Sequence, residues 1–545
     1  MRIALGIAGV LMLGAMSPSV AWAADGDNIP AAANPKMWQK YVASVNKQNA
    51  AQDWSTPSGT LIADSGFRPY ADGFSFFNTG VPDRANHRVF GSPLRTTDLN
   101  AAGMRSLMGK KVCLEGNATG PCTLSTPGKL WRDKTNAGMA GGHCYGFATT
   151  VALLYGRELR PEQFQVGAAT PYDLRLEESI SREIARNMAQ QWTDSPNRFL
   201  APPSEVVETL KTALTPGAVP PVFIMYSGIG GHAVTPYALY EGANGRYDVA
   251  IYDNNYPDFT RVVRLDTVKE TARYAFNVNP SDPDTDDKLS RIGVVPTDFI
   301  AAQQPCPFCI NATTTTIQID PVITKVPIKT KVTRLDGKPF PKLKTIKPSN
   351  PWQPGTPWTF PTYELPKEKS FILKVNNKES NRALPLSVLA TTGAYSLGTG
   401  VAKIPAGGVG KVGFDTKNGI VVYRSQNPGP GLLQFADNGE RNVVAVSGRA
   451  RSKSANTIGG GLIPKQKQVI LAPVDEEKAE VTADASLEFY KNGKARTKLA
   501  HVETTLPAGA SLIIDYHKWN RNDPKKLIAY SLLGQDVTRV NVSFS

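Results

Sequence analysis

From Ser370 to the C-terminus, apolar runs of five to eight residues recur between Gly, Asn and Pro turns, and none has the length of an ordinary helix. FILKV, LPLSVLA, GIVVYR, NVVAVSG, KQVILAP, LEFYK, SLIIDY, KLIAYSLL and RVNVSF are rich in the β-branched and aromatic residues that suit a pleated, half-buried surface. Such a pattern restricts residues 370–545 to an all-β fold, one or two sandwiches, and no sequence repeat connects the runs.

The first half is patterned differently. Gly141-Gly142-His143-Cys144 opens CYGFATTVALLYG, thirteen residues without a charge, which predicts a buried helix ending at Gly156. Further helices are expected within 174–192 and 204–214, the second with Ser204 as N-cap and Pro216-Gly217 as its stop. PVFIMYS, HAVTPYALYE and RYDVAIYD then read as strands, with a hairpin turn over Gly242 to Arg246. Helices followed by a sheet, and then by a sandwich-like region, make the fold class α+β with an all-β C-terminal part. Between the two lies a Thr- and Pro/Lys-rich stretch, 311–369, containing WQPGTPW, which reads as a linker or an extended edge.

At the N-terminus, Arg2, the apolar run Ile3 to Met16 and Ala21-Trp22-Ala23 predict a signal peptide over 1–23. That run is too short to span a bilayer, and no later stretch is apolar enough to do so. No Cys follows the cleavage site to carry a lipid, so the mature chain is expected to be secreted or periplasmic, without a transmembrane segment. Residues 24–64 form a polar N-terminal segment with a short helix over PKMWQKYVASVNKQ, and 65–310 form the first folded domain.

Charge divides the same way. Residues 1–320 carry 28 Lys and Arg against 30 Asp and Glu, whereas 321–545 carry 33 against 17. The basic excess therefore belongs to the second half, where it fits adhesion to anionic cell-envelope polymers or simple solvation. Its cations are dispersed between strands without interleaved aromatics, so specific nucleic-acid recognition is not expected.

Five cysteines leave one thiol unpaired in an oxidising compartment. Cys113 and Cys122 bracket a short polar loop, and Cys306-Pro-Phe-Cys309 can close on itself, so Cys113–Cys122 and Cys306–Cys309 are the simplest disulfides. A redox pair or half a zinc site would also suit Cys306 and Cys309, but zinc would need two further ligands. Asp282, Asp284, Asp286 and Asp287 make an oxygen-rich loop without the Gly and closing Glu of an EF-hand, and read as a solvated turn. No cofactor or metal is expected.

Cys144 is left free at the first turn of a buried helix, where backbone N–H groups and the helix dipole favour thiolate. His232 enters a strand after Gly230-Gly231, and the hairpin returns Asp253, Asn254 or Asn255 to its side. A carboxylate or amide there would orient the imidazole, completing a nucleophile, base and orienter. His143 is the rival base, but its position next to Cys144 points it away from the thiol.

GGHCYGFA, GGHAVTPYALYE and YDVAIYDNNYP, in that order, resemble the Cys, His, Asp/Asn succession of papain-like cysteine peptidases. GFRPYADGFSFFNTG, AGMAGGHC and PCPFC extend the likeness, to a group of exported bacterial members of that superfamily, over about residues 65–310. The resemblance implies a helical lobe carrying the Cys and a β lobe carrying the rest, with Cys144 as nucleophile, His232 as base and Asp253 as orienter, and Asn254 and Asn255 as alternatives. It implies hydrolysis of a peptide or amide substrate through a thioester. Where such enzymes carry an oxyanion-hole Gln, six residues before the Cys, this chain has Gly138; Asn136 and the Cys144 N–H are then the expected oxyanion donors. Two other functions share the motif: acyl transfer to an amine, as in transglutaminase-like enzymes, and a non-catalytic envelope or adhesion protein on the same scaffold.

Overall fold

A computed structural model of the chain describes residues 56–544 apart from 77, 79–98, 114–118, 121, 140–141, 194–195, 228–229, 258–259, 276–286, 307–308, 310–313, 322–328, 341–342, 347–361, 367–368, 378–382, 393–394, 405, 425–430, 439–441, 452–456, 474–478, 492–493, 521 and 524. The expected signal peptide, the helix over PKMWQKYVASVNKQ and most of the acidic loop at 282–287 lie outside the described residues.

Besides a single turn at Pro69–Asp72, the helices ahead of the central strands of the first large sheet are α1 (Ala101–Met108), α2 (Thr126–Met139), α3 (Cys144–Tyr155), α4 (Glu178–Met188) and α5 (Pro203–Ala213); α6 (Thr297–Ala301) follows its last strand. In α3 every residue from Cys144 to Leu154 is buried, and Gly156 stops it, donating its N–H to Ala152 O. A helix apolar all round needs neighbours on every side. α4 covers one face and the sheet another. α4 is shorter than the expected 174–192, because Ala189–Trp192 tightens into a 3-10 turn. Ser204 is not the cap of α5. Pro203 takes the first helical position, where a fixed φ and a missing N–H cost nothing, so the cap falls on Pro202.

Strands β1 (Thr60–Asp64), β2 (Leu200–Ala201), β3 (Val222–Ser227), β4 (Gly230–Glu241), β5 (Arg246–Tyr252), β6 (Thr260–Asp266), β7 (Thr271–Tyr274), β8 (Asp287–Leu289) and β9 (Arg291–Val295) form one antiparallel sheet. Its order is β2-β9-β3-β4-β5-β6-β7-β8, with β1 beside β4. The β4–β5 hairpin turns through Asn244 and Gly245, both at positive φ, as a two-residue turn of matching twist requires. β3 is buried on both faces: Val222, Ile224 and Tyr226 pack with α3, Phe223 and Met225 with α5. β1 places residues 60–64 inside this domain, and Ser58 donates to Asp248 Oδ2, so the domain begins ahead of the expected residue 65.

Among its described residues, the expectation of a linker over 311–369 is corrected by strands β10 (Thr314–Pro321), β11 (Lys329–Thr333), β12 (Lys344–Ile346) and β13 (Thr362–Pro366), while the stretch with WQPGTPW lies outside the described residues. They join β14 (Ser370–Asn376), β15 (Leu384–Thr391), β16 (Tyr395–Ile404), β17 (Val409–Asp415), β18 (Ile420–Arg424), β19 (Gly431–Asn438), β20 (Asn442–Arg451), β21 (Thr457–Ile463), β22 (Gln468–Pro473), β23 (Ala479–Lys491), β24 (Lys494–Leu506), β25 (Ser511–Asp515), β26 (Ile528–Leu533), β27 (Asp536–Val540) and β28 (Val542–Phe544). The physical reason is alternation. Ile317, Ile319, Val332 and Leu365 stand at inward positions and are buried, although Lys and Thr dominate around them.

These strands make a ten-stranded sheet, β12-β13-β10-β15-β16-β19-β20-β23-β24-β28, and a nine-stranded sheet, β11-β14-β17-β18-β21-β22-β25-β26-β27. From β15 to β26 successive hairpins alternate between the two sheets, and both inner faces meet in one apolar core running from Ile317 to Ala529. The α+β part has its own apolar clusters, which share no residue with that core.

Candidate active site

Cys113–Cys122 and Cys306–Cys309 are both disulfide-bonded, and Cys144 is the free thiol. It occupies the first position of α3, with His143 as the N-cap. The i→i−4 ladder opens with Phe147 N–H donating to His143 O, which leaves the N–H groups of Cys144 and its next neighbours outside it. Only 8% of Cys144 is exposed.

His232 stands on β4 opposite Met225 of β3, and the β4–β5 register sets Thr235 against Tyr252, which brings the residues after Tyr252 beside His232. The ring donates through Nε2 to Asp253 Oδ1 at 2.8 Å, and both side chains are buried. A side-chain hydrogen bond also couples the ring to Cys144. Since Nε2 is committed to the carboxylate, Nδ1 is the nitrogen left for the thiol.

The three candidate orienters are sorted by this geometry. Asp253 holds the ring. Asn254 is turned the other way, its Nδ2 donating to Ala233 O at 2.8 Å and to Cys144 O at 3.2 Å, so it ties the α3 N-terminus to β4. Asn255 donates its backbone N–H to Asp253 Oδ1 at 2.8 Å, and its amide lies 3.5 Å from His232 Nε2. His143 is buried and anchors the backbone, its N–H donating to Asn78 Oδ1 at 2.6 Å.

Asp253 has further partners that sequence reasoning did not single out. Tyr274, on β7, donates its hydroxyl to Asp253 Oδ2. Arg261, on β6 and almost wholly buried, donates to Ala275 O at 2.9 Å and lies over the rings of Tyr256 and Tyr274 at 4.2 and 5.7 Å. Burial pushes the Asp253 carboxyl up, but the imidazolium, the Tyr274 hydroxyl and the Arg261 charge together hold it below the usual range. Burial likewise pushes His232 down; the charge and hydrogen bond of Asp253, with help from Cys144, win, and its pKa is raised to about 10. Tyr226, on β3, is within electrostatic reach of Cys144 and donates its hydroxyl to Asn197 Oδ1 at 2.7 Å.

Asn78 is the other residue missed. Its N–H donates to Asn254 O at 2.7 Å, its Nδ2 to Asn255 Oδ1 at 3.0 Å, and its Oδ1 accepts from His143 N–H. One amide thus fastens the strand end that carries the acid to the helix start that carries the thiol. The polar residues of the sequence FNTG were the only signal available for it.

The expected oxyanion role of Asn136 is not what its contacts serve. It sits on α2, and its Nδ2 donates to Leu99 O at 3.1 Å, fastening that helix to the turn before α1. Gly138 has a steric reason: a Cβ there would lie 2.9 Å from Trp192 Cζ2, so the indole fills the space where a side chain would start. The donors that remain at the thiol are the backbone N–H groups at the start of α3. Among the described residues, no group of three or more His, Cys, Asp or Glu side chains is placed to hold a metal ion, and no helix is long and apolar enough to cross a membrane.

No protein-family model, curated protein or solved structure matches the chain.

Proposed function

We propose that the chain is an exported, papain-like thiol hydrolase acting on peptide or amide bonds through Cys144, His232 and Asp253. The observation that carries this reading is the continuous hydrogen-bonded line from the one free thiol to a buried imidazole and on to a buried carboxylate. A His whose pKa is raised to about 10 is an imidazolium at neutral pH, the partner that a thiolate nucleophile needs. Two disulfides fit an oxidising compartment outside the cytoplasm.

In the acylation step Sγ attacks the substrate carbonyl carbon, and the carbonyl oxygen takes up negative charge facing the Cys144 N–H at the α3 N-terminus. The imidazolium gives its proton to the leaving amine as the C–N bond breaks, which leaves a thioester and a neutral imidazole. His232 then takes a proton from water, whose oxygen displaces Sγ, and the acid product leaves with the thiolate–imidazolium pair restored. Asp253 keeps the ring in one tautomer and orientation throughout.

Labelling with iodoacetamide followed by peptide mapping, alongside hydrolysis of a mixed amide and peptide library, tests this. Cys144 should be the modified residue, and Cys144→Ala should abolish both labelling and turnover. Hydrolysis that persists in Cys144→Ala would defeat the nucleophile assignment.

A further inference from the structure

The nine-stranded sheet carries a feature that the thiol chemistry does not use. Its pairing sets Lys331 of β11 opposite Lys374 of β14, Lys374 opposite Lys411 of β17, and Lys411 opposite Arg424 of β18. Four cations therefore stand in single file across four neighbouring strands, roughly 4.8 Å from one to the next. Their neighbours along the strands, Val332, Leu373, Val375, Val412 and Tyr423, point into the core, so the file faces outward. Lys331, Lys411 and Arg424 are exposed and Lys374 is half-buried.

Like charges directly opposite one another destabilise a sheet. Nothing at this face offsets the repulsion: among the described residues no carboxylate pairs with any of the four. Among the described residues, an acid on the same face, Asp415, lies four residues along β17 from Lys411 and is engaged by Asn418 and the Lys417 N–H. The ten-stranded sheet is built otherwise. There Asp484 lies between Ser447 and His501 and is bonded to His501 at 2.7 Å, and Lys344 pairs with Glu364 at 3.1 Å. The charge excess of the C-terminal half is thus not spread evenly but includes an uncompensated line on one sheet.

Beside the line runs a second row made of Ile372, Gly413 and Val422. Gly413 is not needed for packing, since a Cβ there would meet nothing closer than Val422 O at 3.8 Å. Gly461, one row further on, is similarly open, with its nearest neighbour at 3.7 Å. Small and aliphatic residues keep this strip flat. It offers no aromatic platform for bases and no helix for a groove.

We propose that this face binds a linear anionic polysaccharide, its carboxylates seated along Lys331, Lys374, Lys411 and Arg424 and the C–H faces of its sugar rings lying on the flat strip at Ile372, Gly413 and Val422. A stiff chain with one carboxylate per ring matches a straight file of evenly spaced cations, and binding would relieve the repulsion among them. This gives the basic half a partner of definite chemistry, and it stands apart from the thiol chemistry.

The test uses the full chain and polygalacturonate, with dextran as the neutral glycan and double-stranded DNA as the competing polyanion. Polygalacturonate should bind with an affinity that falls as salt rises, dextran should not bind, and DNA should bind more weakly than polygalacturonate at equal charge. The double variant Lys374→Glu/Lys411→Glu should weaken polygalacturonate binding by at least about tenfold. Lys498→Glu, on an exposed position of the other sheet, and Cys144→Ala should leave it unchanged. Because Lys374→Glu puts a carboxylate between two cations, that single variant should melt at the same temperature as the parent or higher and should itself bind polygalacturonate more weakly than the parent, so the loss of binding cannot come from loss of fold. Unchanged polygalacturonate binding in the double variant, equal loss with Lys498→Glu, or tighter binding of DNA through the same four residues would each overturn the proposal.

Discussion

At the scale of single residues, the buried His232–Asp253 pair ties reactivity to pH. The His232 pKa stands at about 10 in the folded chain against 6.5 for the free side chain. Its contribution to stability is therefore complete below about pH 6.5 and is lost as pH rises through about 10. Asp253 is held below 3.8, so its contribution is complete above that value and is lost as pH falls through the lowered one. The pair supports the fold most between these limits. Asp253→Asn keeps the shape and removes the charge, after which burial, the largest influence on His232, favours neutral imidazole. Alkylation of Cys144 by iodoacetamide at about pH 6 should then slow by at least about tenfold, and turnover by about a hundredfold. A pH profile of alkylation that is the same in both proteins would show that Asp253 does not govern the imidazolium.

The elements show which parts of this site a reader of the sequence can reach. Cys144 and the α3 boundary are legible because an uncharged run closed by Gly-Gly-His and Gly156 has few structural options, and the β4–β5 hairpin is legible because its turn residues set the register. Register alone brings Asp253 to His232. Tyr274, Arg261 and Asn78 are not legible in this way, since the first two reach the acid from β7 and β6 and the third reaches the neighbouring Asn254 and Asn255, through contacts that no local spacing encodes. The same holds for the cation file, in which Lys331, Lys374, Lys411 and Arg424 are ordinary surface residues until four strands are aligned. Element packing also explains Gly146, on the face of α3 that meets α4: a Cβ there would lie 2.1 Å from Ile184 O and 2.9 Å from the Met188 backbone N. A carbonyl in a helix cannot swing aside. Gly146→Ala should therefore force α3 and α4 apart, at a cost of about 1–3 kcal/mol, and shift Cys144 relative to His232. Urea unfolding should show a lower midpoint with unchanged slope, together with slower Cys144 alkylation; an unaltered midpoint would mean that the two helices do not approach so closely.

For the whole molecule, the correction over 311–369 changes where the chain can be cut. Composition there argues against burial, with Thr, Lys and Pro prominent, and the few apolar residues that matter are spaced too sparsely to stand out. Yet β10 lies between β13 and β15 inside the ten-stranded sheet, and β11 pairs with β14 at the edge of the other. Ile317, Ile319 and Leu365 are 0%, 5% and 1% exposed. At about 1.5–3 kcal/mol for each fully buried aliphatic side chain, losing these three would remove about 5–9 kcal/mol, comparable with the entire stability of an ordinary domain. Removal would also bare the β15 edge. A fragment of residues 314–545 is expected to unfold cooperatively in urea, reported by the buried Trp519 and by circular dichroism, whereas a fragment of 370–545 should show no cooperative transition and should aggregate through its open edge. Because the apolar clusters of the α+β part share no residue with the sandwich core, residues 56–310 should fold alone and keep a reactive Cys144. If instead the 370–545 fragment unfolded at the same urea concentration as the longer one, strands β10 to β13 would be appendages of the sandwich rather than part of its core.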